Sequence, residues 1–371
     1  MKIKLCLSMI VKDEEQIIAE ALTCLAPHIS YWVICDTGSS DNTVEVVERF
    51  MSTAKIPGVL KKHEWKDFGT NRSLALHEAW SLRDVHKCDY MFTFDADDVI
   101  HGNFTLPNLM NADGYYVQFG ASFAYNRMCI FRCSPDLHWK YKGVLHEYPT
   151  CENKDNVTTD TIRGNYYIES RRLGARSNDK HKYLKDAQIL ETAITLETDE
   201  GMRIRYTFYA AQSYYDAGMH DHAISLYTQR MKMQGWFEEV FCSALRVAMI
   251  MELKPSVYSE YDVQRAYLRA FQEDVERAEP LYYLCKYFRV KDRFKEGYAF
   301  GKLASTINMP SSAKLFMHRD VYSFKIKDEL SICAFWTNRK EECKALCIEL
   351  LQLTELSTSD RERISKNLSF C

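Results

Sequence analysis

The stretch Tyr90-Met-Phe-Thr-Phe-Asp95-Ala-Asp97-Asp98-Val99 indicates how the chain folds. Its first five residues are mostly apolar or β-branched and predict a short strand that is buried on both faces. Three carboxylates follow within four residues, and their mutual repulsion favours a positive group among them. Oxygen ligands select hard ions, so the stretch predicts a site for Mg²⁺ or Mn²⁺ beside substrate phosphates. The alternative is a surface turn with solvated acids, because Asp is common in turns.

The first hundred residues alternate between predicted strands and helices, which indicates βαβ units around a parallel sheet. The predicted strands are 2–9, 31–35, 59–64 and 90–94, and the predicted helices, with Asp13 as the cap of the first, are 13–26, 43–51 and 71–82. Ligands of such sheets bind at the carboxyl ends of the strands. We therefore expect the three carboxylates to border a ligand crevice.

The pattern changes after residue 99. Segments 115–119, 128–132 and 161–169 are predicted strands without a long helix between them, so we expect a mixed sheet with an antiparallel part. A loop crowded with polar and aromatic residues is predicted over 137–148.

From about residue 179 the chain is predicted to be helical. Two amphipathic helices meet at Ala217-Gly218, and their pattern resembles a tetratricopeptide unit. Similar patterns surround Tyr287 and Phe335, and the 73 residues from Tyr214 to Tyr287 are roughly twice the ~34-residue period of such repeats. Stacked helix pairs can form a solenoid with its own core, and an irregular helical bundle is the alternative.

Composition sets broad limits on the function. The 371 residues suggest two domains or three, and a net charge of −3 gives no support to a nucleic-acid-binding protein. The 13 cysteines form no disulfide framework, and Cys129, Cys133, His138 and His146 match no standard zinc spacing. No segment approaches the ~18 to 20 apolar residues that span a bilayer. We therefore expect a soluble, cytoplasmic protein.

Two further groups suit the binding of anions. Asp36 ends the second strand, and Gly38-Ser-Ser leads into a helix N-terminus, although neither a GxGxxG nor a Walker sequence is present. The basic segment 171–182, which includes Arg172 and Lys180, could close over a diphosphate. An ordinary turn and a charged linker are the alternatives.

Two groups suit catalysis. Arg72 could bind a phosphate or hold a carboxylate with its forked guanidinium. His146-Glu147 is a candidate acid–base pair on an irregular loop, where functional residues are common. Solvated side chains are the alternative in both cases.

The order of these motifs along the chain resembles the N-terminal part of the family 2 glycosyltransferases, which are inverting enzymes of the GT-A fold. The motifs are Ser8-Met-Ile-Val-Lys12-Asp-Glu-Glu15, Val33-Ile-Cys-Asp36-Thr-Gly-Ser-Ser-Asp41, Phe68-Gly-Thr-Asn71-Arg72 and Phe94-Asp95-Ala-Asp97-Asp98. The resemblance is strong over residues 1 to about 100 and looser up to 170. Residues 171 to about 250 look like the tail of a bacterial-type subgroup with tetratricopeptide-like helices.

The resemblance implies a role for each matching position. Asp36 would accept a hydrogen bond from the nucleotide base, and Val11 and Glu15 would line the same pocket. Arg72 would lie near the nucleotide or the diphosphate. Asp95-Ala96-Asp97 would be the DxD-type motif, with Asp97 as the main metal ligand and Asp95 as a second.

The catalytic base departs from the family pattern. The family has a carboxylate downstream of the DxD motif, often within an acidic pair, and His146-Glu147 stands here instead. We assign Glu147 as the base and His146 as a metal or phosphate ligand, with Asp136 as the reserve base.

The sequence thus predicts an α/β GT-A domain over residues 1–175 and an α-helical, tetratricopeptide-like domain over 176–371. The predicted function is transfer of a sugar from a nucleoside-diphosphate sugar, with UDP-sugar favoured by the resemblance, to a glycan, protein or lipid-linked acceptor. Mn²⁺ or Mg²⁺ is the expected cofactor, and the helical domain could bind acceptor or form a homodimer. The alternatives are a repeat-based binding protein with an inactive transferase domain and a sugar-1-phosphate nucleotidyltransferase.

Overall fold

The computed structural model describes residues 3–121, 123–171, 173–174, 179–311, 315–354 and 356–371. Two units pack separately. The first comprises the residues up to 121 together with 125–218, and the second comprises 122–124 together with 219–371.

The first unit is built around a mixed sheet. The strands of the first unit are β1 (Leu5–Val11), β2 (Ile29–Asp36), β3 (Gly58–Lys62), β4 (Tyr90–Thr93), β5 (Asp98–Gly102), β6 (Gly114–Phe119), β7 (Phe123–Arg132), β8 (Trp139–Lys142), β9 (Tyr148–Cys151), β10 (Thr159–Thr161) and β11 (Tyr166–Ser170). Of these, β8 and β9 form a separate two-stranded sheet. The helices of the first unit are α1 (Ile18–Leu25), α2 (Thr43–Ala54), α3 (Phe68–Ser81), α4 (Arg83–His86), α5 (Lys182–Leu196) and α6 (Glu200–Asp216).

The strand order β3-β2-β1-β4-β7-β6-β11-β5 confirms the predicted mixed sheet. The first four strands of this order are parallel, whereas β7 is antiparallel to both β4 and β6. Val11 lies opposite Asp36, and Ser8 lies opposite Thr93. The carboxyl ends of β1, β2 and β4 therefore meet at one edge, and Asp95 follows directly.

Apolar residues cover both faces of the central strands, because helices pack on both sides of a parallel sheet. In β1 the alternate residues Leu5, Leu7 and Met9 join one core. Cys6, between them, joins the core on the opposite face with Val33. This alternation follows from the two-residue period of a strand.

The predicted loop over 137–148 is wrong in part. Its first half forms β8, which pairs with β9 as an antiparallel hairpin. Trp139 and Tyr141 point into the core beneath α3, together with Phe131 and Leu76. Tertiary burial of these two rings, rather than local turn chemistry, makes the segment a strand.

Three other boundaries differ from the sequence-based expectation. Asp13 does not cap α1, which begins at Ile18 without a side-chain cap. Asp13 instead has a φ of 54°, and its carboxylate accepts hydrogen bonds from the backbone and hydroxyl of Ser40. The predicted strand 161–169 is divided into β10 and β11, and β5 was not predicted.

The second unit is mainly helical among the residues described. Its helices are α7 (His220–Arg230), α8 (Phe237–Glu252), α9 (Glu260–Glu273), α10 (Glu279–Val290), α11 (Phe294–Ser305), a π-helical turn (Val321–Lys325), α12 (Ile326–Trp336), α13 (Lys340–Leu351) and α14 (Thr358–Leu368). Each helix packs on the next along the chain, and α10 also packs on α12. A short strand, β12 (Met317–His318), pairs with residues 123–124.

The helices predicted around Ala217-Gly218, Tyr287 and Phe335 are confirmed as α6–α7, α10–α11 and α12–α13. Within the described part of the chain, no helix has the length and apolar character needed to cross a membrane.

Candidate active site

Arg72 occupies the centre of the candidate site. Asp67 caps α3 by accepting a hydrogen bond from the Thr70 amide at 2.8 Å, and Arg72 follows in the next turn. Its guanidinium is 7% exposed and lies between two carboxylates. Nη1 lies 2.6 Å from Oδ1 of Asp95, and Nε donates to Oε1 of Glu147 at 2.6 Å. The structure therefore joins the predicted DxD motif to the predicted base through a single arginine.

A second arginine supports Asp95 from the sheet. Arg127 of β7 places Nη1 and Nη2 each 3.5 Å from Oδ2 of Asp95, while its guanidinium carbon lies 4.7 Å from the centre of the Phe119 ring. Burial alone would raise the pKa of Asp95, but the charges of Arg72 and Arg127 outweigh burial and lower this pKa to about 2. Asp95 is therefore an ionised carboxylate at neutral pH.

The next two acids are poorly neutralised. Burial, followed by the charge of Asp95, raises the pKa of Asp97. The same two causes raise the pKa of Asp98 well above its ordinary value. The Asp98 side chain is only 1% exposed, and its Oδ2 lies 4.0 Å from Nη1 of Arg127. The charge of Arg127 and a hydrogen bond with the Ser170 side chain lower the pKa of Asp98, but they do not cancel the rise. A cation arriving here would relieve repulsion that protein groups leave in place.

The side chains of Glu147 and His146 point in different directions. The Glu147 side chain is 9% exposed and turns inward to Arg72. His146 has a φ of 51°, its side chain is exposed, and its ring stacks on Tyr209 of α6 with centroids 4.1 Å apart. The left-handed backbone at His146 thus orients its neighbour Glu147 toward the sheet.

The residues predicted to bind the nucleotide lie on two adjacent loops. Asp36, which is 5% exposed, accepts hydrogen bonds from the amides of Ser39 and Gly38 at 3.0 and 3.3 Å. Glu15 accepts from the amide and side-chain nitrogen of Asn42 at 2.7 and 2.9 Å. Val11 is 3% exposed and pairs directly with Asp36. The structure therefore brings Val11, Glu15 and Asp36 together.

The segment after β11 lies against the acidic motif. The backbone amide and Nε of Arg171 donate to the carbonyl of Asp97 at 3.3 and 3.2 Å, and the Gly174 amide hydrogen-bonds the Asp97 side chain. Lys180 is exposed. Arg172, also predicted to contact the diphosphate, lies outside the described residues.

The reserve base Asp136 lies elsewhere, on an exposed turn between β7 and β8. Its carboxylate accepts a hydrogen bond from Ser134, and this contact lowers its pKa. It makes no described contact with Arg72, Arg127 or Asp95.

Residues 6–173 match the family model described as Glycosyl transferase family 2. This segment is a family 2 glycosyltransferase domain. The arrangement above is thus the candidate active site of a glycosyltransferase. No match was found among curated protein sequences.

Several solved structures resemble the chain at low identity. BtubC from P. vanneervenii has a TM-score of 0.40 and 11% identity, covering 53% of this chain and 82% of that chain. A thermophilic tetratricopeptide protein of Thermus thermophilus has a TM-score of 0.35 and 11% identity, covering 51% and 91%. TarS of S. aureus, residues 1–349 in complex with UDP-GlcNAc, has a TM-score of 0.32 and 12% identity, covering 83% of this chain and 93% of that chain. These are distant likenesses of fold.

The acidic motif can be tested for its fit to the predicted divalent cation. No group of three His, Cys, Asp or Glu side chains suited to a metal occurs within the described residues, so Asp95, Asp97 and His146 do not form a ready-made site. Asp97, together with the buried carboxyl group of Asp98, does fit a divalent cation electrostatically. Mg²⁺ commonly completes its shell with water and substrate phosphates, so few protein ligands suffice.

Arg127 and Tyr141 are site residues that sequence reasoning missed. Arg127 directly precedes the predicted strand 128–132, and a charge beside a buried strand needs carboxylate partners, so its position was a usable signal. Tyr141 lies below Arg72, with its ring centre 5.9 Å from the guanidinium carbon. It gave no usable signal, because its strand was predicted to be a loop.

Proposed function

We propose that this glycosyltransferase moves a sugar from a nucleoside-diphosphate sugar to an acceptor hydroxyl, with inversion at the anomeric carbon and with Mg²⁺ or Mn²⁺ bound. The observation that carries the proposal is the Asp95–Arg72–Glu147 chain of contacts at the carboxyl ends of the strands. It places the Arg72 guanidinium, which would bind the diphosphate, beside the buried carboxylate of Glu147. We place the end of the catalytic domain near residue 175, in line with the family match.

The two adjacent loops would hold the nucleoside. Asp36 presents a carboxylate at the strand end, and its contacts to two backbone amides fix its orientation. A carboxylate accepts hydrogen bonds only, so Asp36 would pair with an N–H group of the base, a group that every common nucleobase presents. The preference for a UDP-sugar donor rests on the resemblance to the family 2 glycosyltransferases.

Glu147 would act as the base. Among the described residues, only its Oε1 is engaged, by Arg72, which leaves Oε2 for the acceptor. In the reaction Oε2 takes the proton of the acceptor hydroxyl as that oxygen attacks the anomeric carbon. The bond from this carbon to the diphosphate oxygen breaks, and the nucleoside diphosphate departs from the opposite face. One displacement inverts the configuration, and no covalent enzyme intermediate forms.

Charge on the departing diphosphate would be met by the basic groups nearby. Arg72 is forked and buried, so it is suited to bidentate contact with phosphate oxygens. Donor binding would draw Arg72 partly from Asp95, whose charge Arg127 continues to balance. Preorganised charge of this kind is commonly the largest contribution to catalysis.

A divalent cation would be held by Asp97, with Asp95 and Asp98 alongside. When bound, it supplies Lewis-acid stabilisation of the leaving phosphate oxygens. His146, stacked on Tyr209, is retained as a phosphate contact rather than as a metal ligand.

Release of nucleoside diphosphate from a panel of nucleotide sugars tests the proposal, with water serving as a slow acceptor. We expect one UDP-sugar to be hydrolysed, and Glu147→Gln to lower the rate by about 10²- to 10⁴-fold, the usual worth of a general base. Asp136→Asn is the matched control and should retain the wild-type rate. NMR of the released sugar should show inversion. Equal rates for Glu147→Gln and wild type would reject Glu147 as the base.

A further inference from the structure

A cavity of about 720 Å³ opens between α3 and the β8–β9 hairpin, next to the candidate active site, with which it shares Tyr141. From α3 it is lined by Thr70, Ser73, His77 and Trp80, which recur at helical spacing along one face. The β8–β9 hairpin and its flanking residues, Met91 of β4, Glu197 just after α5 and Tyr206 of α6 supply the remaining walls.

The cavity is separate from the reacting groups. Asp36, Asp95, Asp97 and Glu147 are not among the residues that line it. The cavity and the reacting groups are separated where α3 packs against Gly143. The packing there is so close that a Cβ on Gly69 would lie 2.3 Å from the Gly143 carbonyl oxygen.

This division is thin. Gly143 lines the cavity, and a Cβ on it would lie 3.3 Å from the Cα of Glu147. Tyr141 also lines the cavity and lies beneath the Arg72 guanidinium. A ligand that contacts Gly143 in the cavity would thus be separated from the backbone of the proposed base, Glu147, by Gly143 alone.

The lining combines aromatic rings with side-chain hydrogen-bonding groups. Four aromatic residues line it: Trp80 is half-buried, whereas Trp139, Tyr141 and Tyr206 belong largely to the core and contribute only the small part of each side chain that stays exposed. His77 and His138 are exposed there and can donate or accept hydrogen bonds, and the His138 ring meets the edge of Trp80 with centroids 5.1 Å apart. Rings that pack against C–H surfaces beside groups that bind hydroxyls suit a carbohydrate.

The charges of the lining disfavour an anionic ligand. Three carboxylates are present, from Asp67, Glu152 and Glu197, against the single ammonium group of Lys140. That ammonium is already paired with Glu152. A phosphorylated or uronic-acid ligand would meet net negative charge and little compensation. A neutral, hydroxyl-rich ligand would not.

The volume sets the size. Pockets of roughly 300 to 1,000 Å³ enclose ligands of drug size, which is also the size of a short oligosaccharide. We propose that this cavity binds an uncharged oligosaccharide, as the non-reacting part of the acceptor glycan. The role of this oligosaccharide as acceptor rests on the proposed function. Its binding in the cavity does not depend on that function.

Calorimetric titration with neutral oligosaccharides of glucose, of galactose and of N-acetylglucosamine, without nucleotide, tests the proposal. At least one should bind, and the double variant His77→Ala/His138→Ala should weaken its Kd at least tenfold. Both side chains are exposed, so folding should be preserved. His222→Ala, an exposed histidine of α7, is the matched control and should leave Kd unchanged. Oligogalacturonate, the charged counterpart of the galactose series, should bind more weakly.

Donor hydrolysis by the double variant separates this inference from the proposed function. We expect hydrolysis at the wild-type rate, because neither histidine contacts the reacting groups. Glycan binding without any donor hydrolysis would uphold the cavity and reject the transferase activity. Binding of none of the neutral glycans, or binding that the double variant leaves unchanged, would overturn the inference.

Discussion

Arg72 and Glu147 are 75 residues apart in the chain, yet Nε of the arginine lies 2.6 Å from Oε1 of the glutamate. The side chains are 7% and 9% exposed, so water screens their interaction little. Arg72 also binds Asp95. One arginine on a capped helix therefore fixes both the acidic motif and the proposed base, and the properties of the site depend on this contact.

Removal of the arginine should destabilise the protein strongly. Arg72→Met leaves two nearly buried carboxylates without this partner, and breaking a buried pair in this way commonly costs about 3 to 5 kcal/mol. Urea denaturation measures the loss in free energy of unfolding. Arg203→Met, at an exposed ion pair of α6, is the control and should change stability by less than about 1 kcal/mol. Equal losses for the two variants would contradict the central role of Arg72.

Asp95 should make stability depend on acidic pH. Its pKa in the folded protein is about 2, against an ordinary value of 3.8. Since the folded pKa is depressed, the stabilising contribution is fully present above pH 4 and is lost as the pH falls toward 2. A difference of this size corresponds to about 2 kcal/mol.

Chemical denaturation of Asp95→Asn measures this contribution. Its deficit relative to wild type should be largest at pH 6 to 7 and should shrink toward pH 2, where about half of the wild-type Asp95 carboxylate is protonated in the folded protein. Asp155→Asn, an exposed acid of the same domain, should show little deficit at either pH. A deficit for Asp95→Asn that stays constant with pH would show that the arginines do not lower the pKa of Asp95.

The second unit should lose stability in a different pH window. Burial lowers the pKa of His318 from 6.5 to about 4, and Nδ1 of this residue lies 3.3 Å from the Tyr283 hydroxyl. The folded state favours the neutral ring, so stability is complete above pH 6.5 and falls as the pH drops from 6.5 to 4, by about 3 kcal/mol. In His318→Gln, denaturation across pH 6.5 to 4.5 should be much less pH-dependent. An unchanged slope would assign the loss to other groups.

Much of the first domain could be predicted from sequence, because its signals are local. The alternation of apolar strands with helices indicated a sheet, and the run of acids after Phe94 indicated its functional edge. Asp36 and Asp95 are brought to that edge because parallel strands end on the same side. The helices on both sides of Gly218 were also predictable, since helical periodicity is a local pattern.

Other features depended on partners far away in the chain. Trp139 and Tyr141 form a strand because α3 covers them, and no residue nearby in sequence signals that cover. Arg127 gains its meaning only when β7 lies beside β4, opposite Asp95. Asp13 has the composition of a helix cap but contacts Ser40 instead, because the β1–α1 and β2–α2 loops lie side by side.

Direct measurement of metal-dependent nucleotide binding tests the central claim of a donor site at the acidic motif. Isothermal titration with UDP and other nucleoside diphosphates, in Mn²⁺, in Mg²⁺ or in chelator, would be compared for wild type, Asp97→Asn and the control Asp155→Asn. We predict binding to wild type and control that requires the cation, and a Kd at least tenfold weaker for Asp97→Asn. Binding that is equally strong in chelator, or unchanged in Asp97→Asn, would contradict the metal role of the motif, and no binding of any nucleotide would indicate an inactive transferase domain.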